Sequence, residues 1–245
     1  MHLFDAIRKD PLNYLPEVSL TALDFFYQGY SFRYYTEGHS LEDNFDHQEF
    51  DSWIRARFGV SRSYFDIFSI IGSFAANDTE AFHDYFTLRD EFLQTANISE
   101  RGEMLQWHAE PTNLIDLLKK IRERPALYVG TVSFRKCYLF LTGENRAYSD
   151  LGLPIGDDRK IFAEFKDWVE QQKNKASRPR PWHVMVSYYG TGCDCGNIES
   201  GAFTLFYRWL DEFATIHGQT NLLQVPKSWW KPKELHPHAR RPSWP

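Results

Sequence analysis

The sequence predicts an all-α protein in which a unit of four to five helices is written twice in tandem, the copies related by a pseudo-twofold axis and followed by an extended tail. Three observations carry this. Ile7, Arg8, Pro11 and Tyr14 return as Ile121, Arg122, Pro125 and Tyr128 at an offset of 114 residues, and Ser19, Phe26 and Gly29 return as Ser133, Phe140 and Gly143 at the same offset. Inside each copy the apolar residues recur at i, i+3, i+4 and i+7, the spacing of one helical face. From Gln224 onward the chain carries five prolines and no period, which fits no regular element.

The first predicted helix runs through Leu3, Phe4 and Ile7 and stops at Pro11; its copy carries Leu114, Leu117, Leu118 and Ile121 and starts at Asn113, an N-cap residue type. In the second, Ser19 caps Leu20, Leu23, Phe26 and Tyr27, and Ser133 caps Phe134, Cys137, Phe140 and Leu141. Gly29 and Gly143 are read as the stops of this pair. The third contains Phe50, Trp53, Ile54 and Phe58, matched by Phe162, Phe165, Trp168 and Val169. YFDIFSIIGS and WHVMVSYYGT are rich in β-branched and aromatic residues, but their mutual match favours a helix in both. The last helix, from about residue 78 to 94, places Phe82, Tyr85, Phe86 and Phe92 on one face, and its copy places Phe203, Phe206, Tyr207 and Phe213 likewise.

The offset grows along the chain, to 115 at Trp53 and Trp168, 118 at Ser69 and Ser187, and 121 at Phe92 and Phe213. The insertions fall between periodic segments, where loops absorb them. The chain is therefore divided into a first repeat at 1–97, a polar linker at 98–112, a second repeat at 113–223 and a Pro/Trp-rich tail at 224–245.

Composition bounds the function. No apolar stretch reaches the roughly 18 residues of a membrane helix, and the N-terminus lacks the pattern of a signal peptide. Three cysteines, Cys137, Cys193 and Cys195, form no disulfide framework, so a cytoplasmic setting is expected. The net charge of −5 is uneven: residues 1–97 hold 16 Asp and Glu against 7 Lys and Arg, and the tail holds 5 basic residues against 1 acidic. An acidic first half does not suit nucleic acid, whose phosphates need a clustered positive field.

The repeated Arg8, Pro11, Tyr14 and Arg122, Pro125, Tyr128, with Trp53 and Trp168, read as structural. Proline turns the chain after the first helix, tyrosine packs at that turn, and arginine can hold a carboxylate or a helix C-terminus. The loop GTGCDCG at 190–196 offers two thiols but no second pair, so no metal is expected. His217, His236 and His238 are too scattered around proline to make one, and no cofactor is expected either. Nucleophile elbow, phosphate-binding and HExxH motifs are absent from the sequence, which is read as non-catalytic. The stretch SLEDNFDHQEFD at 40–51 places Glu42, Asp43, Asp46, Glu49 and Asp51 around Phe45 and Phe50, an acidic rim with an aromatic anchor that suits a basic protein partner. The simpler account of the same residues is an acidic helix start, favoured by the helix dipole, with the phenylalanines inward.

Ile121, Arg122, Pro125 and Tyr128, the Ser133 helix to Gly143, Trp168, and then Ala202, Phe203, Tyr207, Glu212 and Phe213 resemble small bacterial proteins found as immunity partners of polymorphic toxins. The first repeat shares the pattern and the tail does not. The resemblance implies a cytoplasmic, non-enzymatic protein, monomeric or homodimeric, that binds a cognate toxin domain and blocks its active site. Two other classes stay open: an enzyme or sensor with a small molecule in a groove between the repeats, and a nucleic-acid-associated regulator using Lys227, Lys231, Lys233, Arg240 and Arg241 of the tail.

Overall fold

The computed structural model describes residues 3–39, 47–60, 66–95, 112–174, 180–191 and 197–218. Among these residues there are eleven α-helices and no strand. In chain order they are α1 (Leu3–Lys9), α2 (Leu20–Thr36), α3 (His47–Phe58), α4 (Ile67–Phe74), α5 (Asp78–Thr95), α6 (Leu114–Glu123), α7 (Pro125–Val129), α8 (Phe134–Asp150), α9 (Asp157–Trp168), α10 (Trp182–Gly190) and α11 (Ile198–Ile216). A 3-10 turn covers Pro11–Asn13, and a π-helical turn, Val169–Lys173, continues α9.

Short polar side chains set where the helices begin. Ser19 accepts the Ala22 N–H at 3.0 Å, Asp66 the Ser69 N–H at 2.7 Å, Asn113 the Asp116 N–H at 2.8 Å and Asn197 the Glu199 N–H at 2.9 Å. Each satisfies a backbone donor that the first helical turn leaves without a partner. Pro125 occupies the first position of α7, where a missing N–H costs nothing, and Gly130 ends it in the left-handed region at φ 68°.

The chain divides into two compact units: residues 1–111 with Leu139–Gly152, and Thr112–Tyr138 with residues 153–245. Most of α8 therefore belongs with the first unit, although the repeat reading assigns it to the second copy. The polar linker and the tail of the sequence reading lie outside the described residues, apart from Thr112.

The first unit is built on aromatic rings. Phe4, Phe26, Phe50, Phe82 and Tyr85 are essentially inaccessible. Tyr85 touches Phe4, Phe50 and Phe68 with ring centroids 5.6, 5.9 and 5.3 Å away. Burying each such ring contributes about 1.5–3 kcal/mol, and their edge and offset geometries add to that.

In the second unit Trp182 holds the equivalent centre, within 5.9 Å of Phe134 and Phe206 and 5.8 Å of Phe162. α10 lies close along α11: a Cβ at Gly190 would come within 2.6 Å of the Ala202 backbone nitrogen, so only glycine allows this approach.

Gly29 and Gly143 do not stop their helices. α2 continues to Thr36 and α8 to Asp150. Both glycines lie where α2 and the 139–150 part of α8 cross inside the first unit. A Cβ on Gly29 would stand 2.7 Å from the carbonyl carbon of Phe140, and one on Gly143 the same distance from that of Phe26. Their role is close backbone approach, which the sequence pattern of a capped run ending in glycine imitates.

Candidate functional site

The repeated arginines are engaged inside their own units. The Arg8 guanidinium donates to Asp90 at 2.7 Å and lies 5.7 Å from the centre of the Phe86 ring. Arg122 binds Asp211 through two bonds of 2.8 and 2.7 Å and lies 5.3 Å from the Tyr207 ring. Arg8 therefore ties α1 to α5, and Arg122 ties α6 to α11. Trp53 packs on Phe50 and Phe92, and Trp168 on Phe165 and Phe213, so these residues are also parts of the cores. Tyr14 lies edge-on to Phe26 under the Arg146 guanidinium, 4.7 Å from its ring centre. Tyr128 is half-buried, and burial raises its hydroxyl above the ordinary tyrosine range.

A second recurring cluster holds the serine-capped helices. The Ser19 hydroxyl donates to Asp78, which also accepts the Thr21 N–H at 3.1 Å. In the other unit the Ser133 hydroxyl donates to Glu199 at 2.9 Å, and the Arg135 N–H donates to the same oxygen at 2.8 Å. A carboxylate at the start of the last helix thus caps the second helix, where the dipole favours negative charge.

Two groups with latent chemistry are buried side by side in the second unit. Tyr207 donates its hydroxyl proton to the Leu118 carbonyl oxygen at 2.9 Å. Burial pushes the neighbouring Cys137 thiol up to about 12, a hydrogen bond with Tyr207 offsetting only part of the effect. The Tyr207 hydroxyl is likewise held well above its usual range, by burial first and then by Cys137. Both stay neutral at ordinary pH, which is the opposite of what a thiolate nucleophile needs.

The α2–α8 crossing in the first unit contains a charge pair that neither repeat nor motif announced. Arg33 Nε donates to Glu144 at 2.7 Å, Nη1 reaches Glu37 at 2.8 Å, and Nη2 also contacts Glu144. Arg33 is 2% exposed and Glu144 0%, so the pair is fully desolvated. A spacing signal was available only for Arg33 and Glu37, one helical turn apart.

Of the acidic stretch, Glu42, Asp43, Phe45 and Asp46 lie outside the described residues. Glu49 is exposed, whereas Asp51 is bonded to Arg55 at 2.6 and 2.9 Å. Phe50 is 0% exposed and faces inward, stacked with Trp53 and edge-on to Tyr85, so it belongs to the core and is no anchor for a partner. Cys193, Cys195, His236, His238 and the basic tail residues lie outside the described residues as well. Among the described residues no group of three or more His, Cys, Asp or Glu is placed to hold a metal ion. His217 packs on Phe213, with ring centroids 4.3 Å apart.

A surface that the sequence reading did not single out lies on α10 of the second unit. Val184, Tyr188 and Tyr189 are exposed by 39, 47 and 36%. The guanidinium of Arg180, which precedes α10, lies 5.1 Å from the Tyr188 ring centre. The Tyr188 ring meets Tyr189 edge-on at 5.2 Å, and Tyr189 meets Trp209 at 6.0 Å. Val184 and Tyr188 stand one turn apart on α10, whereas Arg180 precedes the helix, ahead of its N-cap Pro181, so no helical spacing in the sequence joined the three. No helix among the described residues is long and apolar enough to cross a membrane. Comparison of the chain with family models, curated proteins and solved structures finds no match.

Proposed function

We propose that this protein is a non-catalytic binding protein of the immunity type, built by tandem duplication, which neutralises a cognate bacterial toxin domain in the cytoplasm by forming a stoichiometric complex. The observation that carries the reading is the internal engagement of what recurs. Arg8 with Asp90 and Phe86 corresponds to Arg122 with Asp211 and Tyr207, and Ser19 with Asp78 corresponds to Ser133 with Glu199. The reciprocal contacts of Gly29 with Phe140 and of Gly143 with Phe26 support a local twofold relation where α2 and α8 cross.

Residues used in this way twice over are scaffold, and a scaffold with ordinary hydrogen-bonded caps and neutral buried thiol and phenol groups suits binding through its outer surface. The acidic stretch of Glu42, Asp43, Phe45, Asp46, Glu49 and Asp51 is the face on which a basic toxin would be held; the negative first repeat would speed and orient that encounter.

The test is to purify the full chain with the secreted protein encoded beside its gene and measure binding by calorimetry, alongside rescue of growth when the two are co-expressed. A complex of fixed stoichiometry and restored growth are expected, with weaker binding and slower association for Glu42→Lys/Asp43→Lys/Glu49→Lys. Absence of binding, or turnover of a small substrate by the purified chain, would overturn the reading.

A further inference from the structure

We propose that the surface made by Val184 and Tyr188 on the outer face of α10, together with Arg180 just ahead of that helix, docks a protein domain that presents a carboxylate beside an apolar side chain. The proposal rests on the binding-protein reading above and identifies a contact surface for it. Its starting point is a comparison of α10 with α4. Ile67, Ile70 and Ile71 are the buried residues of α4, and Trp182, Met185 and Val186 are buried at the same spacing in α10. This register differs from the sequence match of Ser69 with Ser187, and it places the inner faces of the two helices in phase.

In that register the outer positions are Ser69 and Ser73 on α4, and Val184 and Tyr188 on α10. Both serines are exposed, and Ser73 returns its hydroxyl to the Ser69 carbonyl oxygen at 2.7 Å. At these two positions α4 therefore presents hydroxyls, with an exposed apolar side chain, Phe74, only at its last residue. An aliphatic and an aromatic residue at the same outer positions of α10 answer no demand of the inner-face packing.

The ring of Tyr188 contacts Tyr189, itself set against Trp209, and Arg180. Rigid tyrosine with arginine is the composition of residues that dominate protein interfaces, since little side-chain freedom remains to be lost on binding. Arg180 is exposed, and among the described residues no carboxylate pairs with it. The Arg180 guanidinium, 5.1 Å from the Tyr188 ring centre, can take a carboxylate beside that ring, ideally through two parallel bonds. This charge requirement names the partner's chemistry. Among the described residues a single cation on this surface does not supply the clustered field that a nucleic-acid backbone needs.

The experiment uses the full chain and the secreted protein encoded beside its gene, titrated in a calorimeter. Val184→Ser/Tyr188→Ser, which writes the α4 residues onto α10, should weaken binding about 30-fold or more, as loss of a central anchor does. Arg180→Glu should weaken it comparably. Thermal unfolding of both variants should match the unsubstituted chain, because the altered side chains are exposed. The converse variant, Ser69→Val/Ser73→Tyr on α4, should bind as the unsubstituted chain does. If the unsubstituted chain binds while both α10 variants bind equally well, or if the α4 variant loses as much, this surface is refuted and the binding-protein reading stands. If the unsubstituted chain does not bind, that reading fails and the surface assignment falls with it.

Discussion

Cys137 shows how burial decides what a residue can do. Its thiol is 0% exposed, next to a tyrosine whose proton is already given to the Leu118 carbonyl. In the folded chain it keeps its proton up to about 12, against an ordinary value of 9.0. Between those values the unfolded chain binds fewer protons than the folded one, so stability is full below about pH 9 and declines as pH rises toward 12. Urea unfolding followed from pH 8 upward should show this decline, and Cys137→Ala should delay its onset until the Tyr207 and Tyr30 hydroxyls, both raised by burial, oppose folding. A native-state thiol label at pH 8 should leave Cys137 unmodified; rapid labelling there would contradict the burial on which the pH argument depends. The sequence held part of this information. Cys137 and Tyr207 each fell on a predicted inner face, but their adjacency joins residues 70 positions apart and no local spacing encodes it.

At the scale of the helix, local chemistry was legible and long-range geometry was not. Ser19 and Asn113 identified helix starts because a cap is a contact within three residues. The pairing of WHVMVSYYG with its counterpart correctly favoured a helix over a strand, since inner-face periodicity outweighs β-branched propensity once tertiary packing contributes. Gly29 and Gly143 misled because a glycine permits both a left-handed stop and a close crossing, and only the neighbouring helix distinguishes them. Gly29→Ala or Gly143→Ala should therefore cost more than the helix propensity gained. The added carbon meets backbone, which cannot rotate away, so the crossing must open, at a cost of about 1–3 kcal/mol or more. Chemical denaturation should show this loss in both variants. An alanine at an ordinary mid-helix glycine would instead stabilise by about 1 kcal/mol, so the sign of the change discriminates a crossing from a free helix surface.

At the scale of the whole molecule, the repeat proposed from the sequence and the compact unit have different boundaries, and the difference has a measurable consequence. The repeat ends before the linker, but residues 1–111 are compact together with Leu139–Gly152. That segment supplies Glu144 to Arg33, the Phe140 backbone to Gly29, and Asp150 to the Tyr30 hydroxyl at 3.1 Å. A fragment of residues 1–111 would keep α1 to α5 and lose all three. Arg33, 2% exposed in the intact chain, would keep Glu37 but lose the partner that compensates its burial. Removing one member of such a pair costs about 3–5 kcal/mol, a large fraction of the stability of a small domain. The fragment should therefore bind a hydrophobic dye and melt without a sharp transition. Extending it does not help unless residues 139–152 are restored, because the intervening residues 112–138 belong to the other unit. A fragment ending at residue 111 that unfolds cooperatively with the stability of the intact chain would show that the first repeat closes its own core. The contribution of α8 to Arg33 and Gly29 would then be dispensable.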